Sequence, residues 1–256
     1  MSRSGLLIGL AVLAPGAPPL CRGQAAQTPA EMGAMDSSDA AVAVAAHEAM
    51  GGAMTEDPHM RLTPRRPGTA ADSSRTARLV SDMRRDLGKY RDLRVAERDG
   101  YRQFLPGRKQ PVYHFTNWRW AIEAMFHFDA AKPTSLLYRE DANGHFELVG
   151  AMYTAPARTT YADLDARIPL SVARWHEHVN WCLPPRGARQ RWGEQRGGHP
   201  VFGPASPIAT RAACDSVGGR FKPRVLGWMV HVRAFASDDP AVIWSVGHHP
   251  GAAGRP

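Results

Sequence analysis

The alternation of hydrophobic and polar residues is clearest over residues 172–182, which read V-A-R-W-H-E-H-V-N-W-C. A period of two is typical of a β-strand, because successive side chains point to opposite faces of a sheet. One face of the predicted strand carries Trp175 and Glu177, and the other carries His176 and His178. The strand therefore presents two imidazoles, two residues apart, on one face.

Further strands and helices are predicted on both sides of this strand. Spacings of three and four between apolar residues predict a helix from Ser74 to about Arg98, and the Asn143-Gly144 step predicts a hairpin. The other predicted elements are strands over 112–115, 134–139, 145–154 and 225–235, and helices over 118–128, 161–167, 210–217 and 238–244. This order of elements indicates an α+β fold with a mostly antiparallel sheet flanked by helices.

The same pattern divides the chain into four parts. Residues 1–25 have the charge, short apolar stretch and small residues of a signal peptide, with cleavage expected before Ala26. Residues 26–72 lack sustained periodicity and are expected to form a flexible lead-in that contains Met and His. Residues 73–246 are predicted to form a single globular domain, and 247–256 a disordered tail. No segment after the signal is apolar enough to span a membrane, so we expect a periplasmic or secreted protein.

The net charge of +8 does not indicate a nucleic-acid partner. The positive residues are scattered along the chain, and no RNP, helix-turn-helix or Cys/His finger pattern accompanies them. Nucleic-acid binding is therefore not expected.

Two cysteines, Cys182 and Cys214, follow the predicted signal peptide. In an oxidising compartment an isolated pair is expected to form a disulfide bond. The alternative is that Cys182 acts as a nucleophile beside His178. A disulfide would remove Cys182 from the candidate metal ligands.

Four histidines on predicted strands form a candidate metal site. The predicted ligands are His114, His176, His178 and His231. Neutral imidazoles suit copper or zinc in tetrahedral or tetragonal geometry. Asn180 and Glu177 are candidates for orienting these rings through hydrogen bonds. The alternative is that the histidines line a polar cleft or are hydrogen-bonded residues of the core.

The lead-in adds further soft or borderline metal ligands. They are Met32, Met35, His47, Met50, Met54, His59 and Met60. Thioether and imidazole groups suit copper, although such residues can also be incidental in an Ala-rich segment.

Five blocks of the sequence resemble a family of exported bacterial proteins of unassigned function. The blocks are Y-H-F-T-N at 113–117, P-T-S-L-L-Y at 133–138, L-V-G-A-M-Y-T-A-P at 148–156, P-L-S-V-A-R-W-H-E-H-V-N-W-C at 169–182 and G-W-M-V-H-V at 227–232. The resemblance covers roughly residues 90–246. It implies export and a Met- and His-rich lead-in, and it implies no particular activity.

The sequence favours an exported protein that binds copper or zinc, in metal handling or as a small metalloenzyme. Whether it is an enzyme stays open, because the sequence contains no G-x-S-x-G, H-E-x-x-H or P-loop motif. Catalysis would require an open metal position that activates water or oxygen. The alternative function is a module without metal, in which an aromatic cleft and the loop over 184–207 bind a small ligand or an envelope partner protein.

Overall fold

The framework of the computed structural model, which describes residues 57–107 and 109–246, is an antiparallel β-sheet of eight strands. The strands in chain order are β1 (Met60–Leu62), β2 (Arg102–Gln103), β3 (Tyr113–Thr116), β4 (Ser135–Glu140), β5 (Phe146–Ala155), β6 (His176–Leu183), β7 (Gln195–Arg196), β8 (His199–Pro200), β9 (Arg220–Arg224) and β10 (Trp228–Val232). The main sheet has the order β1-β6-β10-β5-β4-β3-β2, β9 pairs with the second half of β6, and β7 and β8 form a separate hairpin.

The described residues also form six α-helices. They are α1 (Ala70–Leu87), α2 (Leu93–Arg98), α3 (Trp118–Glu123), α4 (Tyr161–Arg167), α5 (Arg211–Ser216) and α6 (Pro240–Ile243). The predicted α+β fold with a mostly antiparallel sheet is therefore confirmed. No helix in the described part of the chain is long and apolar enough to cross a membrane. The predicted signal peptide, most of the lead-in and the predicted tail lie outside the described residues.

One face of the sheet packs against the helices and forms the main core. Tyr153 and Trp228 on the strands, and Trp175 just before β6, are buried in one cluster with Met83 of α1 and Leu164 of α4. We call this side of the sheet the helix face. Strand alternation sends the neighbouring side chains to the opposite side.

The folded domain begins earlier than the predicted boundary at residue 73. β1 pairs with β6, with Met60 opposite His178 and Leu62 opposite His176, so this part of the predicted lead-in belongs to the sheet. The backbone N–H of Thr63 also donates to the carbonyl of Trp175 (2.8 Å). A strand of three residues has too few positions to show a period of two. The prediction of a flexible lead-in up to residue 72 is wrong for these residues.

The first predicted helix is divided into two. Thr69 caps α1, its hydroxyl accepts from the backbone N–H of Asp72, and the Asp72 carboxylate accepts from the N–H of Thr69. After α1, a 3₁₀ turn over Gly88–Arg91 leads to Asp92, which is extended and caps α2. The cap at Asp92 competes with continuation of the helix, which the apolar spacing alone did not indicate.

The predicted disulfide bond is present in the structure. Cys182 at the end of β6 is joined to Cys214 in α5, with their Cα atoms 5.4 Å apart. Disulfide bonds are typical of proteins that fold in oxidising compartments, which agrees with the expectation of export. The bond also excludes Cys182 as a nucleophile or a metal ligand in this structure.

Candidate functional site

The four predicted histidine ligands lie on one side of the sheet, opposite the helix face. His176 is paired with Met229, His231 with Met152, and His114 with Leu137. Because paired residues of antiparallel strands share a face, these side chains lie on the same side. His178 follows two residues after His176 and shares its face. We call this side the histidine face.

The four rings form a row of neighbours. The Nε2 atoms of His114 and His231 are 3.3 Å apart. The rings of His231 and His176 are stacked, with centroids 5.2 Å apart, and those of His176 and His178 are 6.1 Å apart and nearly perpendicular. All four side chains are buried, with at most 4% of any residue exposed.

His114 and His231 meet although their strands are not adjacent. β4 and β5 lie between β3 and β10, so a flat sheet would place the two backbones about 14 Å apart at the usual spacing of ~4.8 Å between strands. Two imidazole side chains are too short to close this gap by themselves, so the sheet must also curve towards the histidine face, with both rings pointing to each other over the two intervening strands. The sequence predicted four strand histidines, but not this reach across the sheet.

The separation of these two nitrogens suits two ligands of one metal ion. Two ligands at ~2.05 Å from a tetrahedral ion lie about 3.3 Å from each other, by the geometry of the zinc–imidazole bond length. The same distance is close to that of an N–H···N hydrogen bond between neutral imidazoles. As the side chains are placed, no group of three or more His, Cys, Asp or Glu residues among 57–107 and 109–246 could hold a metal ion.

The electrostatic environment keeps His176 neutral. Burial lowers the pKa of His176 from its usual value to about 4, because the charged imidazolium loses its hydration. Its Nε2 atom is buried and has no hydrogen-bond partner among the described residues. A neutral ring with a free nitrogen is the form of histidine that binds a metal ion.

The two residues proposed to orient the rings have other contacts in the structure. Asn180 adopts a positive φ of 59°, its Nδ2 donates to the carbonyl of Pro58 (3.2 Å), and its own carbonyl lies 3.0 Å from Nδ1 of His59. Glu177 lies on the helix face and forms an ion pair with Arg61. Both residues therefore hold the segment around β1 beside β6, and their role in orienting the histidine rings stays a prediction.

Glu177 is a buried carboxylate directly behind the histidine pair. Besides Arg61, the guanidinium of Arg224 lies 3.6 Å from it. Burial raises the pKa of Glu177 above its usual value, while the two arginines oppose the shift. The arginine on β1 also lies over the ring of Trp228 (4.8 Å to the centroid), so this ion pair joins β1 to the core of the helix face.

The two described members of the predicted Met/His lead-in set have different positions. His59 is buried, and its ring contacts the carbonyls of Asn180 (3.0 Å) and Ser206 (2.6 Å). Met60 is paired with His178 and lies on the histidine face. The remaining members, residues 32–54, lie outside the described residues.

Two buried residues of the histidine face were not predicted as part of the site. Met152 and Met229 belong to one apolar cluster with Leu137 and Val149. Each methionine is paired across a strand with one of the four histidines. The signal in the sequence is Met229-x-His231, which repeats the spacing of His176 and His178, while Met152 shows no such signal by itself.

The most buried tryptophans belong to the core, and the predicted aromatic cleft stays a prediction. Trp175, Trp181 and Trp228 are at most 1% exposed and belong to the core, whereas Trp118 is largely exposed. The structure also has a cavity of about 680 Å³ near one end of the sheet. Its lining includes Gln110, Tyr113, Glu140 and Phe146.

Comparison of the chain with protein-family models, curated proteins and solved structures gives no match. The resemblance to exported bacterial proteins therefore stays a prediction, and the function has to be argued from the site.

Proposed function

We propose that this chain is an exported metal-binding protein in which His114, His176, His178 and His231 bind a copper or zinc ion. The observation that carries the proposal is the 3.3 Å distance between the Nε2 atoms of His114 and His231, which equals the separation expected for two ligands of one ion. Metal handling and a small metalloenzyme both fit such a site.

The burial of the rings supports this proposal. Burying four neighbouring imidazoles on one sheet face costs free energy, because each ring has two polar nitrogens that need partners. A metal ion would satisfy one nitrogen on each ligand ring. The unpartnered Nε2 of His176, on a ring that burial keeps neutral, is suited to this role. Reorientation of the rings is required to bring a third nitrogen to the ion.

The test is the metal content of the exported protein, purified from the periplasm without chelators or a histidine tag. We expect about one equivalent of copper or zinc per chain in the wild type. The variant His176→Ala/His178→Ala is expected to lose the metal while keeping the circular dichroism spectrum of a folded protein. A matched control is His127→Ala/His145→Ala, which removes two histidines with largely exposed side chains and should leave the metal content unchanged.

Wild-type protein without stoichiometric metal, even after reconstitution with copper and zinc, would contradict the proposal. Equal loss of metal in the control variant would mean that the ion is bound adventitiously at the surface.

A ligand-binding module without metal is the second candidate function. The observation that favours it is the cavity lined by Gln110, Tyr113 and Glu140. The Tyr113 hydroxyl donates to the Glu140 carboxylate (2.5 Å), and the buried Oε1 of Gln110 has no hydrogen-bond partner among the described residues. A small polar ligand that binds wild-type protein but not a Phe146→Ala variant, in protein that holds no metal, would favour this function.

A further inference from the structure

The histidine face carries a methionine opposite each of three histidines. Met60 is paired with His178, Met229 with His176, and Met152 with His231. Directly opposed side chains in an antiparallel sheet have Cβ atoms about 4.5–5.5 Å apart. Each thioether therefore starts within reach of the imidazole that it faces.

The distribution of methionines favours this face. Five methionines lie in the described residues, and three of them are those paired with histidines. All three are at most 8% exposed. The other two are Met83, which is buried in the core of the helix face, and Met125, which follows α3. A flexible methionine side chain fills gaps in a core, and this explains the presence of any one of the three. It does not explain why a histidine lies opposite each of them.

The position of Met152 connects the thioethers to the imidazole pair. Met152 lies on β5, one of the two strands over which His114 and His231 lean towards each other. Met229 packs in the same apolar cluster as Met152. A sulfur ligand is thus available beside the two nitrogens whose separation suits a shared ion.

The charge of the ligands distinguishes between metal ions. Imidazoles and thioethers are neutral, so the whole charge of the ion would stay in a buried site. The cost of burying an ion rises steeply with its charge, which disfavours a divalent ion relative to a monovalent one. Thioethers are also soft ligands, which Cu(I) accepts and Zn(II) takes much less readily.

We propose that the histidine face is a Cu(I) site, in which the thioethers of Met152 and Met229 join imidazoles of the four-histidine site as ligands. This inference rests on the proposed function, because it names the ion and adds the sulfur ligands of the same site. It makes the protein a binder of reduced copper rather than a zinc site.

The first test replaces the sulfurs and keeps the volume. Met152→Leu/Met229→Leu is compared with wild type by anaerobic titration against Cu(I) held by bicinchoninate, and by titration with Zn(II). We expect the affinity for Cu(I) to fall roughly tenfold or more, because a soft ion loses its sulfur ligands, and any affinity for Zn(II) to change little. The matched control is Met83→Leu, which replaces a buried methionine on the helix face and should leave the affinity for Cu(I) unchanged.

The second test is X-ray absorption at the copper edge, which does not depend on the stability of a variant. The exported protein is used, because the expected cleavage before Ala26 removes Cys21, and Cys182 and Cys214 are joined, so any Cu–S scattering must come from methionine. We expect sulfur and nitrogen scatterers around copper in this chain, and loss of the sulfur contribution after Met152→Leu/Met229→Leu.

Unchanged affinity for Cu(I) in the double methionine variant, or a copper site with nitrogen and oxygen ligands alone, would overturn the sulfur inference. The proposed function would survive that result if the His176→Ala/His178→Ala variant still loses its metal. Absence of any metal from wild-type protein after reconstitution would overturn both.

Discussion

At the scale of single residues, Gly150 of β5 has a position that no larger residue can take. A Cβ atom at this position would fall on the carbonyl oxygen of Val232 and lie within 3.0 Å of two further backbone atoms of β10 and Arg233. Backbone atoms of a neighbouring strand cannot move aside as a flexible side chain can. The absence of a side chain at Gly150 therefore permits the close approach of β5 to the end of β10.

We predict that Gly150→Ala lowers the free energy of unfolding by about 3 kcal/mol or more, the upper end of the usual cost of overpacking. The measurement is urea denaturation followed by tryptophan fluorescence. Gly88→Ala is the control, because Gly88 is helical (φ −56°, ψ −28°) and a Cβ there meets open space. It should be neutral or stabilise the protein by up to about 1 kcal/mol. Equal stability of both variants would contradict the close packing at Gly150.

At the residue scale, the sequence indicated the imidazoles of the proposed site but not the sulfurs proposed to join them. His176-x-His178 is conspicuous because histidines are infrequent and the strand alternation is clear. Met152 lies in an apolar run that reads as core, and its place in the site depends on its pairing with His231. Pairing across strands is a property of the register, and the register is not contained in the sequence of one strand.

At the scale of elements, the start of α1 is stabilised by a network of charged residues. The Asp72 carboxylate accepts from Nη1 and Nη2 of Arg66 (2.6 and 2.8 Å) and from the Ser171 hydroxyl (3.1 Å). The same guanidinium donates to Asp165 in α4 (2.7 Å). The hydrogen bonds from Arg66 hold the pKa of Asp72 well below its usual range and also lower the pKa of Asp165.

We predict that this network makes the stability of the protein sensitive to acid. In the unfolded chain Asp72 titrates near its usual pKa of ~3.9, whereas its pKa in the folded protein is lower. The unfolded chain therefore binds the proton more tightly, and acid favours unfolding. The contribution of Asp72 is present above about pH 4 and is lost as the pH falls towards the folded pKa. Asp72→Asn should therefore melt below the wild type at pH 7, and the difference should narrow below pH ~4.

The control for this experiment is Asp82→Asn, which removes a partly exposed ion pair with Arg85 on α1. Exposed pairs contribute about 0–1 kcal/mol, so its melting temperature should stay near that of the wild type. A difference between Asp72→Asn and wild type that is constant from pH 7 to pH 3 would contradict the assignment of the acid sensitivity to this carboxylate.

Elements with strong local signals were predicted well, and elements defined by pairing were not. The helix over 161–167 is as predicted, because its cap at Thr160 and the following Pro169 are local signals. β1 and β9 were missed, since the first has three residues and the second contains Pro223, which is unfavourable in a strand. Both strands are held by pairing with β6, which a local pattern does not report.

At the scale of the whole molecule, the site is assembled by sheet order. His114 and His231 come from strands that are far apart in sequence and separated by β4 and β5 in the sheet. The sequence indicated which histidines lie on strands, but their convergence depends on the order of the strands and on the direction of the rings. Local periodicity determines neither, since order results from the packing of all strands against the helices of the other face.

The disulfide bond acts on the whole molecule, because it closes the loop that carries the β7–β8 hairpin. Cys182 and Cys214 are 32 residues apart and buried with Val201 and Phe202. Closing a loop of this length removes entropy from the unfolded chain, which corresponds to about 3–4 kcal/mol in the chain-entropy model. We predict that Cys182→Ala/Cys214→Ala lowers the free energy of unfolding by about this amount in urea denaturation.

Loss of the disulfide bond should affect metal binding less than it affects stability, because His176 and His178 lie towards the opposite end of β6 from Cys182. The folded fraction of the double cysteine variant is therefore expected to keep its metal content. Wild-type protein under reducing conditions provides the comparison, since it loses the bond without a change of side chain and should show a similar loss of stability.

If the variant and the reduced wild type unfold at the same urea concentration as the oxidised wild type, the bond does not stabilise the fold. If stability falls and metal is lost together from protein that is still folded, the far end of β6 controls the geometry of the histidine face. That outcome would extend the site to the whole length of the strand.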